Sequence, residues 1–122
     1  MKHTYETGLQ GESTAEKWLH EQRGMITLER RYRSRHGEID LIMQDADTIV
    51  FVEVKTRNSL YPGDGLMSVN LNKQKRICRC ATVYLMSHHK LNSSVRFDVV
   101  EVNPGSVTHI PDAFQPGGMF FK

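Results

Sequence analysis

The stretch Thr48–Thr56, Thr-Ile-Val-Phe-Val-Glu-Val-Lys-Thr, constrains the fold of this 122-residue chain more than any other. Strand side chains alternate faces, so Val50, Val52 and Val54 share one side while Phe51, Glu53 and Lys55 share the other. Such a strand is covered on both faces, as in the centre of an α/β sheet. Charges placed there are paired or functional, because an isolated buried charge is too costly to keep. A second run, Glu38–Met43, precedes it across the polar turn Gln44-Asp45-Ala46-Asp47, and together they read as a β-hairpin. With Ala46-Asp47 as a two-residue turn, Asp45 faces Thr48 and, counting outward, Asp40 lies opposite Glu53. Cross-strand partners have Cβ atoms roughly 4.5–5.5 Å apart.

Two carboxylates facing each other across a sheet repel. A divalent cation removes the conflict: hard carboxylate oxygens suit Mg²⁺, which completes its shell with water and substrate phosphate. Lys55, one step further along the same face, would place a point charge beside a reacting phosphoryl group or help position and deprotonate the attacking water. The plainer alternative is an amphipathic hairpin with one solvated face. Covering of the strand on both sides weighs against it.

The length fits one domain with a real core. With 39% hydrophobic and 25% charged residues the chain is an ordinary globular protein, and a net charge of +2 does not by itself announce a nucleic-acid partner. The N-terminal MKHTYETG lacks an apolar segment and the longest purely apolar run is Ile49–Val52, so neither a signal peptide nor a membrane span is expected. The expected location is the cytoplasm. Cys78 and Cys80 are the only cysteines, and two residues apart on a helix they do not suit a disulfide. His88-His89 have no partners at zinc-ligand spacing, so the histidines are read as structural or solvated.

In chain order, Thr7 with Gln10 forms a capping box for a helix to about Arg23, stopped by Gly24. Gly8, Gly11, Ala15, Trp18, Leu19 and Gln22 make its inner stripe, and the small residues would let its backbone lie close to a sheet. Glu12, at the edge of that stripe, is either a first-turn carboxylate favoured by the helix dipole or a third acid directed at the metal. Met25–Tyr32 reads as a first strand, with Ile26 and Leu28 alternating with Thr27 and Glu29, and Arg30, Arg31, Arg33 and Arg35 lead basic charge into Gly37-Glu38. These arginines are either solvated or phosphate contacts. Arg57–Ser68, with Tyr61-Pro62-Gly63-Asp64-Gly65, reads as a mobile flap beside Lys55. A second helix is expected from about Leu71 to Ser87, capped by Asn70 or Ser68, with Ile77, Ala81, Tyr84 and Leu85 inward. Lys73 shares the side of Ile77 and faces the sheet, while Lys75, Arg76 and Arg79 form an adjacent cationic surface suited to phosphate. Val95–Val102 alternates as a fourth strand, Asn103-Pro104-Gly105-Ser106 is a turn, Val107–Ile110 a short edge strand, and Gln115–Lys122 a tail with an apolar end.

The pieces Gly8-x-x-Gly11-Glu12-x-x-Ala15, Gly37-Glu38-Ile39-Asp40-Leu41-Ile42, Phe51-Val52-Glu53-Val54-Lys55-Thr56-Arg57, Lys73 with its basic helix, Arg96-Phe97-Asp98-Val99-Val100 and Ala113-Phe114 together resemble the YraN family of small bacterial proteins. That family is described as endonucleases predicted from sequence, with a restriction-endonuclease-like fold. Arg31 stands where the family pattern leads one to expect asparagine. The resemblance implies a single-domain αβββαβ core with a mixed sheet flanked by helices, Asp40 and Glu53 binding Mg²⁺ or Mn²⁺, and Lys55 assisting the attacking water. Archaeal Holliday-junction resolvases, which are similar, add a first-helix glutamate, here Glu12, and Lys73 would contact phosphate. Glu38 is then a supporting or strand-end residue. Arg31, Arg33, Arg35, Arg57, Lys75, Arg76 and Arg79 are the expected DNA contacts, with a branched substrate selected by shape. Cutting a four-way junction calls for two sites and hence a homodimer through the tail or an edge strand. The competing class is a nucleic-acid-binding or protein-interaction module that keeps the fold without cleavage; a third is a metal site for a small phosphoester.

Overall fold

The computed structural model describes residues 5–57 and 69–115, with side chains from Gly8 onward. The expected flap beyond Arg57 and the tail beyond Gln115 lie outside the described residues. The elements are α1 (Tyr5–Arg23), β1 (Ile26–Ser34), β2 (Gly37–Asp45), β3 (Thr48–Thr56), α2 (Leu71–Ser87), β4 (Ser94–Asn103) and β5 (Ser106–Ile110). The expected αβββαβ order is present, with β5 extending it.

The strands form one five-stranded sheet in chain order. Only β3 and β4 are parallel, with α2 as their crossover; the other neighbouring pairs are antiparallel. The valines and Phe51 of β3 explain its central place. Val50 and Val52 pack with Ala15, Leu19 and Val100 under α1, whereas Phe51 packs with Phe97, Ile77, Ala81 and Tyr84 under α2. Burying a side chain of this size stabilises by about 1.5–3 kcal/mol relative to leaving it exposed, so β3 anchors both layers.

Asn70 is the cap of α2, its Oδ1 accepting the Lys73 backbone N–H at 2.9 Å, so the boundary read from the sequence holds. Gly24 ends α1 in the left-handed region, φ 69°, as expected. The start of α1 differs: residues 5–10 are already helical, so Thr7 lies inside the helix rather than capping it. Of the two stripe glycines only Gly11 makes a close approach. A Cβ there would collide with Thr56 Oγ1, whereas at Gly8 it would meet nothing. Gln22, expected inward, is exposed.

β1 departs from simple alternation. Its register with β2 shifts between Thr27 and Glu29, making Leu28 the extra residue of a bulge. Ile26 is left 61% exposed while Leu28 packs on the α2-side core.

One polar cluster is built into the α1 side of the sheet. Asp98, fully buried, accepts from Arg96 Nε and Nη2 at 2.9 and 3.0 Å and from the Asp112 backbone N–H at 2.9 Å, and meets His109 Nε2 at 2.7 Å. Arg96 also reaches Asp45 at 3.1 Å, tying the hairpin tip to β4. Burial favours the neutral acid, but the bonds from His109 and Arg96 outweigh it and hold the Asp98 carboxyl below its usual range.

Two consequences are measurable. Asp98→Ala should lower unfolding stability by about 3–5 kcal/mol in urea, because Arg96 loses its buried partner. In the parent protein a lowered folded-state pKa means the contribution is present above the ordinary carboxylate value near pH 4 and fades as pH falls through the folded-state value, so the two proteins should converge in strong acid. Gly11→Ala should cost about 1–3 kcal/mol by overpacking, and adding Thr56→Ala should restore most of it.

Candidate active site

The β2–β3 ladder runs from Asp45↔Thr48 to Leu41↔Val52 and stops one residue short of Asp40. There the Asp40 side chain replaces the ladder, its Oδ2 accepting the Val54 backbone N–H at 2.7 Å. β1 and β2 are irregular at the same level: Arg30↔Leu41 and Tyr32↔Ile39 flank Arg31 and Asp40, and Arg31 adopts φ 52°. Ile39 packs on the α2 side while Leu41 packs on the α1 side, although strict alternation would put them together. Asp40 thus sits where the sheet changes face. Left-handed φ costs a non-glycine residue about 1–3 kcal/mol, least for asparagine and aspartate.

Glu53 lies beside this opening on β3 and is buried. Lys55 Nζ is 3.0 Å from Glu53 Oε2, and Lys73 Nζ, from the first turn of α2, is 2.5 Å from the same oxygen. The helical count that turned Lys73 to the sheet holds; the hairpin register holds as far as Leu41↔Val52, and Asp40 and Glu53, expected as directly facing partners, instead share the cleft beyond the last pair. Gly37, Glu38, Asp40, Glu53, Lys73, Arg76 and Ile77 line a cleft of about 240 Å³. A larger hollow of about 400 Å³ lies between α1 and β1, lined among others by Glu16, His20 and Ile26; none of the acid–lysine set borders it.

Electrostatics distinguish the members. Burial, reinforced by the adjacent Glu53 charge, pushes the Asp40 carboxyl up to about 8, against the Val54 N–H bond, which favours ionisation. Burial, then the neighbouring Lys73, lowers the pKa of the Lys55 ammonium. Burial opposes the charge of Lys73 too, but its bond to Glu53 holds its pKa above the ordinary value.

Glu12 does not stand free beside Asp40. Arg31 Nη1 donates to both its oxygens, at 2.9 and 3.1 Å, and Arg31 Nε lies 3.5 Å from Glu38. The expected third acid therefore faces an arginine, and the described residues contain no cluster of three His, Cys, Asp or Glu groups able to hold a metal. Arg31 itself bridges carboxylates in place of an open phosphate contact. Arg33 is exposed and 3.4 Å from Glu38, and Arg35 is exposed. Lys75, Arg76 and Arg79 are exposed on α2, Arg76 at the cleft, and Arg57 is half-buried, its N–H bonded to Val102 O at 2.8 Å.

Glu101 was not singled out by sequence reasoning. It is fully buried, pairs in register with Lys55, and accepts from Asn103 Nδ2 at 3.0 Å. Alternation within β4 put it on the Phe97 face, but its offset against β3 is set by a parallel crossover that no turn in the sequence specifies.

The donor set fits a hard divalent cation. Asp40 and Glu53 offer carboxylate oxygens in one cleft, burial and then the Glu53 charge raise the Asp40 pKa, and none of the described residues that line the cleft is a cysteine, histidine or methionine.

These features define a single-domain α/β protein whose hairpin opens onto an acid–lysine cleft. A model described as "Uncharacterised protein family UPF0102" matches residues 11–102, and the chain belongs to this family, in line with the resemblance to YraN proteins. A UPF0102 protein of Geobacter metallireducens is 40% identical over 117 residues, covering 93% of this chain and 95% of that protein. One from Saccharophagus degradans is 45% identical over 110 residues, covering 89% and 92%. Among solved structures, "Crystal structure of SSO0001" aligns with TM-score 0.42 and 14% identity, covering 86% of this chain and 48% of that one.

The raised Asp40 pKa gives a test independent of activity. A raised carboxyl contributes stability that is full below the unfolded-state value near 4 and is lost as pH rises through about 8. Asp40→Asn should remove that loss, so without divalent ions the variant should melt above the parent once the pH exceeds about 8.

Proposed function

We propose that this chain is a divalent-metal-dependent endonuclease that hydrolyses DNA backbone phosphodiesters. The observation that carries the reading is the meeting of Asp40, Glu53 and Lys73 at one cleft bordered by exposed Arg76, with Lys55 Nζ 3.0 Å from Glu53. Asp40 and Glu53 would hold Mg²⁺ or Mn²⁺, which when bound polarises a phosphoryl oxygen and makes water a better nucleophile. Lys55 would accept the proton of the attacking water: burial lowers its pKa, bringing the neutral amine closer to working pH. Lys73 and Arg76 would hold the scissile phosphate, and Lys75, Arg79, Arg33, Arg35 and Arg57 its neighbours. Glu12 would join the metal only if Arg31 released it. Contacts of this kind read backbone and shape, which suits branched DNA, and a four-way junction would engage a homodimer. Among the described residues no helix is long and apolar enough to cross a membrane, and the proposal places the protein in the cytoplasm with its DNA.

A second reading has its own support. Glu53 and Glu12 are each already neutralised by basic side chains, as in a domain that binds nucleic acid without cutting it.

The test is incubation of purified protein with plasmid, single-stranded, flap and four-way-junction DNA in Mg²⁺ or Mn²⁺. Cleavage should fall about 10²–10⁴-fold in Lys55→Ala and at least as far in Asp40→Ala. Cutting that survives both substitutions would overturn the assignment; tight binding with no cutting would select the second reading. Replacing Lys75 and Arg79 together by alanine should make the salt dependence of DNA binding shallower, by about 0.9 in log–log slope for each phosphate that the two side chains neutralise.

A further inference from the structure

Glu53 Oε2 receives two ammonium groups at once, Lys55 at 3.0 Å and Lys73 at 2.5 Å. A carboxylate oxygen offers about two lone-pair sites, so this oxygen is saturated in the metal-free protein. Asp40 is different. Its carboxylate accepts a backbone N–H, and among the described residues no ammonium or guanidinium lies within ion-pair distance of it. One end of the site is therefore open to a cation and the other is held by amines.

The two lysines are not equally free to leave. Lys55 is on the same strand as Glu53, its side chain 13% exposed, and it does not line the cleft. Lys73 comes from a different element, is 31% exposed and lines the cleft beside Arg76 and Ile77. Its backbone is fixed by the Asn70 cap, so only the four-carbon side chain need swing.

We propose that Lys73 is a displaceable stand-in for the metal: it occupies Glu53 in the metal-free protein and is released, when a divalent cation takes that carboxylate, to bind a DNA phosphate in the cleft. This rests on the metal-dependent reading above and deepens it. Lys73 acquires opposite effects on the two ligands, competing with the cation and assisting the nucleic acid. Metal binding then favours DNA binding, because it frees for the phosphate an ammonium that Glu53 otherwise holds.

The experiment reads binding, with no turnover. Mn²⁺ affinity of the free protein is measured from the electron paramagnetic resonance signal of unbound ion, for the parent, Lys73→Met, Lys73→Arg and Asp40→Asn. DNA affinity is measured by fluorescence anisotropy of a labelled four-way junction in Ca²⁺. Lys73→Met should bind Mn²⁺ about tenfold more tightly, a fraction of the Coulomb interaction between unit charges in contact, and the junction more weakly. Lys73→Arg should stay close to the parent in both, which a purely structural role would not predict of so specific a pair. Unchanged or weaker Mn²⁺ binding in Lys73→Met, with parent binding that depends on Asp40, would overturn the proposal while leaving the metal site standing. Mn²⁺ binding that is absent from parent and Lys73→Met alike, or indifferent to Asp40→Asn, would overturn the metal-dependent reading and this inference with it.

Discussion

The bond from the Val54 backbone N–H to Asp40 Oδ2 is the interaction on which the site depends. β-Strands satisfy their backbone groups through neighbouring strands, and a hairpin that opens leaves donors unpaired at a cost of about 1–3 kcal/mol each when buried. Here the paired register ends at Leu41↔Val52 and the aspartate side chain takes over as acceptor. The hairpin can then part without orphaning Val54, and the space beyond the last pair becomes the cleft. The carboxylate is held at the fork rather than projecting freely from a continuous sheet. An acid at position 40 thus has an architectural role as well as a chemical one.

Keeping four carboxylates near one sheet end is an electrostatic problem that the chain solves locally. Arg31 bridges Glu12 and Glu38, and Lys55 and Lys73 share Glu53. Each basic group comes from a different point along the chain, so the charge pairs also join α1 to β1 and α2 to β3. These pairs are only partly exposed, so loss of one partner, which leaves a poorly solvated charge unpaired, is worse than loss of both. Asp40 is left to its backbone partner, and burial, reinforced by the Glu53 charge, raises its pKa. The Asp98 cluster on the opposite face is the contrasting case: with Arg96, His109 and the Asp112 N–H all supplied, its acid is held ionised and has a bracing role.

Sequence patterns reached the hairpin, both helices, the nearness of Asp40 to Glu53 and the inward turn of Lys73, because each follows from a period. Alternation sets the faces of β3, a two-residue turn sets its register with β2, and 3.6 residues per turn sets Lys73 above Ile77. What was missed breaks a period or depends on tertiary register. The Leu28 bulge shifts β1 by one residue, Arg31 adopts a left-handed φ, and Ile39 and Leu41 face opposite layers. Glu101 and the Asp98–His109 pair depend on the alignment of β4 with β3 and with β5. Thr7, read as a cap, lies inside α1. Glu12 was legible as an inward acid, but its arginine partner depends on how α1 crosses β1.

Position 31 joins these threads. The backbone there is left-handed, a conformation that asparagine tolerates better than arginine, so the arginine carries a conformational cost that its contacts must offset. Those contacts are the two bonds to Glu12 and the approach to Glu38, made possible because the kink carries the residue out of the plane of the strand. Asparagine at the same place would ease the backbone but could not span both acids. The strained arginine and the open hairpin lie at one level of the sheet: Arg31 and Asp40 are flanked by the pairs Arg30↔Leu41 and Tyr32↔Ile39, and from there Arg31 reaches Glu12 and Glu38.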